Sequence, residues 1–213
     1  MTQSLERTEI TSEAELRALL GAPMPRAVAK ERKALHPLDR DWIASSPFVL
    51  LATSAADGTC DVSPKGDPAG FVHVIDDTTI AIPERPGNRR ADGFLNILSN
   101  PHIGLIFLIP GRTDTLRING RARLLREAAY MDELEVKGHR PQLVIEVAIE
   151  QIFHHCAKAF LRSQLWDSAT WNPDALPRHA CIVKEVQTTT ETLEELDAYY
   201  SPENYLKKLY AAA

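Results

Sequence analysis

The stretch Ile82-Pro83-Glu84-Arg85-Pro86-Gly87-Asn88-Arg89-Arg90 sets three arginines around a Pro/Gly turn. It reads as a strand end, a turn and a helix start, with Asn88 as the candidate cap. Backbone N–H groups at a helix N-terminus attract anions. Two arginines in a first turn oppose the helix dipole, and a bound phosphate removes that conflict by taking charge-assisted contacts from both. The chemistry suggested is phosphate binding; a solvated basic helix start is the plainer alternative. Val62-Ser63-Pro64-Lys65-Gly66 adds a lysine at the end of a strand that can point at the same anion. In Arg117-Ile118-Asn119-Gly120-Arg121-Ala122-Arg123, one strand face carries Arg117, Asn119, Arg121 and Arg123. Such a face repels itself unless a ligand, or acids on the neighbouring strand, stand opposite.

Other constellations carry less. His154-His155-Cys156 invites a metal reading, but adjacent strand residues point to opposite faces and no second ligand pair has finger-like spacing. No GxSxG elbow marks a nucleophilic serine. Neither GxGxxG nor GxxxxGK[ST] is present, so dinucleotide and P-loop fingerprints are unsupported. Nothing selects a catalytic acid or base. Trp166 and Trp171 read first as packing residues.

The net charge of −5 gives no global basic field for nucleic acid. The charge is uneven, however. Residues 83–126 hold eight Arg or Lys against three acids, and residues 188–213 hold five acids against two lysines. A basic middle in an acidic chain suits a small anion better than a polyanion. The 213 residues, 44% apolar and 25% charged, fit one globular domain. No apolar run reaches the roughly 20 residues that span a bilayer, so no membrane partner is expected. The polar, acidic start lacks the apolar core of a signal peptide, so the cytoplasm is the expected address. Cys60, Cys156 and Cys181 form no CxxC pair and read as free thiols.

The elements that must position these residues are mostly strands. Ser12 to Leu20 and Leu38 to Ala44 read as short helices. Strands are expected at 48–53, 60–63, 71–75, 78–82, 102–109, 115–125, 143–149 and 181–186. Apolar spacing predicts a helix over 89–99, with shorter ones at 128–135 and 156–165 and an acidic one over 191–210, interrupted near Ser201-Pro202. Residues 166–178 read as loop. Many short strands with hairpin signals and only one crossover-sized helix argue for a barrel.

Together these stretches resemble the pyridoxamine 5′-phosphate oxidase-like split β-barrel family of flavin-binding proteins, in an uncharacterised FMN-binding branch. The carriers are Val62 to Asp67, Gly70-Phe71-Val72, Asn88-Arg89-Arg90, Leu95 with Asn100-Pro101-His102, and Arg117 to Ala122. His155 to Lys158 and Arg162 to Trp166 add to the likeness. The resemblance implies a mainly β fold with flanking helices. It covers roughly residues 45–150, so the chain reads as a single domain with a helical N-terminal extension over 1–45, a split-barrel core over 46–150 and a helical C-terminal segment over 151–213. It also implies FMN held at the interface of a homodimer, in an oxidoreductase acting on a small organic substrate. Lys65 matches a phosphate-contacting lysine, flanked by Val62 and Ser63. Asn88, Arg89 and Arg90 match the family's Ser-Arg-Lys phosphate segment. Thr115 and Leu116 fall where the other subunit contacts the flavin. Arg117 and Trp166 are further candidates, Trp166 as a residue that stacks or closes the site.

Two departures stand out. Where the family carries an arginine upstream of the lysine, the nearest residue here is Cys60, so that one phosphate contact is either missing or supplied by Arg85. The chain ends in an acidic helix with Leu209-Tyr210, not the basic Trp-Arg-rich segment of the oxidase proper, so pyridoxine phosphate oxidation is not implied. The alternatives within the fold are a non-catalytic flavin or haem store or sensor, and a deazaflavin-dependent reductase.

Overall fold

The computed structural model describes residues 7–210. The chain divides into a unit ending at Glu31 and a unit starting at Arg32. The first unit holds α1 (Glu13–Leu20) and α2 (Pro25–Val28), neither with a buried residue. α1 forms where its caps allow. The Ser12 hydroxyl accepts the Glu15 N–H at 3.2 Å, and Gly21 ends the helix at φ +76°.

The second unit begins with α3 (Pro37–Ser45). Its strands are β1 (Phe48–Ser54), β2 (Cys60–Gly66), β3 (His73–Val74) and β4 (Thr79–Pro83), then, after α4 (Asp92–Ser99), β5 (His102–Leu108), β6 (Thr115–Leu125) and β7 (Val144–His155). The C-terminal segment holds α5 (Lys158–Ser163), α6 (His179–Val186), α7 (Leu193–Tyr200) and α8 (Pro202–Lys207). One seven-stranded antiparallel sheet runs in the order β2-β1-β5-β6-β7-β4-β3. The fold is mainly β with flanking helices, a split β-barrel.

Alternation explains the curl of this sheet. Val49 and Leu51 of β1, Leu105 and Phe107 of β5, Leu116 and Ile118 of β6 and Ile152 of β7 are all buried, with polar or half-exposed residues between them. They share one core with Ile80 and Ile82 of β4, near the opposite edge. Each such side chain contributes roughly 1.5–3 kcal/mol on burial, so the sheet gains by closing on itself. β4 is buried on both faces, because Ala81 packs with Met131, Leu134 and Val144 in a second cluster. A register shift at Asn119/Gly120 bends β6. There a Cβ on Gly120 would lie 2.1 Å from the Ala148 carbonyl oxygen, so only glycine fits.

Several expectations change. Residues 181–186 form the helix α6, not a strand. Its Ala180 and Val183 sit three residues apart on one face and pack with Leu196 of α7. The β-branched run there imitates a strand, but its buried positions repeat at helical spacing. The strand expected over 71–75 shortens to His73–Val74, and the helix over 128–135 becomes a 3₁₀ turn at Met131–Leu134. The loop over 166–178 contains two 3₁₀ turns, Ser168–Thr170 and Pro173–Ala175. β7 runs on to His155, beyond the 149 expected. No helix among the described residues is long and apolar enough to cross a membrane.

Candidate functional site

Period-two geometry turns Asp61, Ser63 and Lys65 of β2 to one side of the sheet. α4 lies over that side. Ile97 is buried, and Asn96 donates its amide to the Thr53 hydroxyl at 3.1 Å. Gly93 lets the helix come close, since a Cβ there would sit 3.1 Å from an Asp61 carboxylate oxygen. The segment 84–91 leaves the end of β4 and runs to α4. β2, this segment and the first turn of α4 enclose a cavity of about 540 Å³, within the range of small-molecule sites.

Six of the residues singled out in the sequence meet there: Ser63, Lys65, Arg85, Asn88, Arg89 and Arg90. The local backbone corrects one detail. α4 starts at Asp92 with Ala91 at its N-cap, so Asn88 is not the cap and the arginines precede the helix. Arg89 and Ala91 adopt left-handed conformations at φ +60° and +61°, which no sequence rule assigns to these residue types. Instead of capping, the Asn88 side-chain oxygen accepts the Arg90 N–H at 3.1 Å, which fixes the turn. No side chain caps α4, and its first residues, Asp92, Gly93 and Phe94, line the cavity.

The cavity is less basic than the sequence suggests. Asp61, Glu84 and Asp92 line it beside Lys65, Arg85, Arg89 and Arg90. Lys65 contacts the Glu84 carboxylate and lies 4.9 Å from the Phe94 ring centroid. Arg90 donates to Asp92 at 2.7 Å, a bond that favours its charged form. Arg85 is held by Asp67 at 2.5 Å and by the Leu134 carbonyl at 2.8 Å. The Ser63 hydroxyl donates to Asp61 at 2.7 Å. Asp61 stands two residues before Ser63, so strand alternation could have flagged it. Glu84 and Asp92 flank the arginines directly and were visible only as charges.

The remaining candidates lie elsewhere in the same chain. Val62 points the other way, is 61% exposed and lines a shallow groove with Cys60, His102 and Asn119. Thr115 and Leu116 are buried at the start of β6. Leu116 shares a transverse row with Lys65, through Phe107 and Val49. Three strand spacings, about 14 Å, separate the two. Arg117 lies over the Phe153 ring at 5.2 Å, and its buried Nε has no hydrogen-bond partner among the described residues. Trp166 donates to the Arg112 carbonyl at 2.7 Å and stacks on Phe160, outside the cavity. Farther along the basic strand, Arg123 donates to Glu146 at 2.6 Å and Asn119 to Gln151 at 2.5 Å. That part of the strand is balanced by its neighbour β7.

Donor chemistry decides what the cavity can hold. An ammonium, three guanidiniums, an amide and the uncapped start of α4 complement a phosphate, and the volume leaves room for a larger attached group. The residues therefore fit a phosphate-bearing cofactor such as FMN. Among the described residues no group of three or more His, Cys, Asp or Glu is placed to hold a metal ion.

The pyridoxamine 5′-phosphate oxidase family model matches residues 35–156, more than half of the chain. No curated protein matches. Solved structures that resemble the chain include HupZ of Group A Streptococcus. It is 23% identical, with 56% of this chain and 93% of that one covered and a TM-score of 0.46. A pyridoxamine 5′-phosphate oxidase-type structure from Lactobacillus delbrueckii is 23% identical, covering 57% and 95%, with a TM-score of 0.45. General stress protein 26 of Bacillus anthracis is 13% identical, covering 56% and 94%, with a TM-score of 0.42. At these scores the structural likenesses carry no functional argument.

Proposed function

The chain belongs to the pyridoxamine 5′-phosphate oxidase family, and on that premise we propose that it is an FMN-binding oxidoreductase acting on a small organic substrate. The observation that carries this reading is the cavity that gathers Ser63, Lys65, Asn88, Arg89 and Arg90 at the open first turn of α4. Lys65, Arg89 and Arg90 hold the phosphate, Asn88 shapes their loop, and Arg85 supports it from the end of β4. FMN, when bound, supplies the electron chemistry, and the chain supplies anchoring, orientation and a shielded pocket.

The working form in this reading is a homodimer in the cytoplasm. Val62, Arg117 and Trp166 do not line the cavity of their own chain, which fits a site completed from a second copy; Thr115 and Leu116 are buried within their own chain and are not part of that surface.

The test loads the protein with FMN and follows NAD(P)H consumption. Steady turnover above the rate of free flavin supports the oxidoreductase. Stoichiometric flavin with no turnover under any donor refutes catalysis and leaves a store or sensor.

A further inference from the structure

A second cavity, of about 380 Å³, lies on the far side of the 84–89 segment. It shares Glu84, Arg85, Arg89 and Phe94 with the first, and its outer wall is formed by His139 and Tyr210. Tyr210 sits at the C-terminal end of the described chain, yet it is tied to the middle of it. Its hydroxyl donates to one oxygen of Asp67, while the other oxygen takes the Arg85 Nε at 2.5 Å. The Asp67 side chain is only 1% exposed. The Tyr210 ring stacks on His139 at 5.8 Å, with Arg85 and Lys137 at 5.9 and 5.3 Å from its centroid. The bond to Asp67, with burial adding to it, pushes the phenol above its usual range, so it remains a donor at neutral pH.

Arg85 thus stands in the wall between the two cavities. Its carboxylate partner, Asp67, is divided between Arg85 itself and Tyr210. A carboxylate this buried needs both donors, because an unmet lone pair out of water is costly. Without Tyr210, Asp67 would have reason to turn toward solvent, and Arg85 with it.

We propose that Tyr210 is a positioning residue of the cofactor site, holding Arg85 in place through Asp67 so that the segment after α8 clamps the phosphate-binding segment. The proposal rests on the FMN reading above. The clamp acts at the phosphate end, since the cationic residues the two cavities share are Arg85 and Arg89.

The experiment compares FMN with riboflavin, which lacks the phosphate, on the full chain and on Tyr210→Phe, by flavin fluorescence titration. Tyr210→Phe keeps the ring and loses only the hydroxyl. The expected result is an FMN dissociation constant raised about fivefold or more, with riboflavin affinity unchanged. Asp67→Asn is expected to show the same selective loss, and the double variant little more than either single one. Wild-type FMN affinity in Tyr210→Phe, or equal losses for both flavins, overturns the clamp while leaving the FMN reading intact. A wild-type chain that binds neither flavin overturns both.

Discussion

Lys65 and Glu84 are paired across the proposed phosphate cavity, the ammonium in contact with the carboxylate and both side chains three-quarters or more buried. A phosphate entering this cavity competes with Glu84 for Lys65. Glu84→Gln is therefore expected to tighten FMN binding, by about three- to tenfold, and Lys65→Ala to weaken it by about tenfold or more. Fluorescence titration of the two variants checks the pair of opposite signs.

Arg89 and Arg90 supply the two guanidiniums nearest the start of α4. Replacing both with Ala removes two charge-assisted donors, and FMN affinity is expected to fall by about a hundredfold. The wild-type affinity should also weaken as salt rises from about 50 to about 500 mM. Equilibrium dialysis at the two salt concentrations reads both effects.

How much of this was legible follows the physics of each element. Alternation in Phe48 to Thr53 and Thr115 to Leu125 announces strands because one face must be buried. The six cavity residues stand out because they fall within local stretches, and local charge against a helix start is readable. The left-handed Arg89 and Ala91 do not, since the conformation is imposed by packing of α4 on β1 and β2 and not by residue type. Asp67 and Tyr210 are 143 positions apart, and no spacing rule joins them. Residues 181–186 read wrongly as a strand because a run such as Cys-Ile-Val has the composition of one, while its partner, Leu196, lies outside any local window.

Gly120 has no room for a methyl group against the Ala148 carbonyl. Gly120→Ala is expected to destabilise the fold by about 3 kcal/mol or more, or to prevent soluble expression. A thermal melt beside wild type measures it.

Asp39 is buried between Arg32, at 2.5 and 3.0 Å, and His154, at 3.0 Å. Burial opposes its ionisation, but bonds from Arg32 and from the His36 N–H outweigh that and hold its carboxyl below the usual range. The folded value is lower than the unfolded one. The stability it contributes is therefore complete above about pH 4 and is lost as the pH falls further. Urea denaturation of wild type should show a steeper loss as the pH falls below about 4 than Asp39→Asn, which starts lower and changes less.

In the proposed dimer, Val62, exposed on β2 and turned away from the cavity, is expected to meet the second copy. Sedimentation is expected to give about twice the 23.7 kDa of one chain. Val62→Arg should shift the population toward monomer and weaken FMN binding together.

The most direct test of the central claim is the absorption spectrum of the purified protein, before and after adding FMN and removing the excess. The account predicts flavin bands that stay with the protein at about one FMN per chain. A colourless protein that retains no FMN would contradict it.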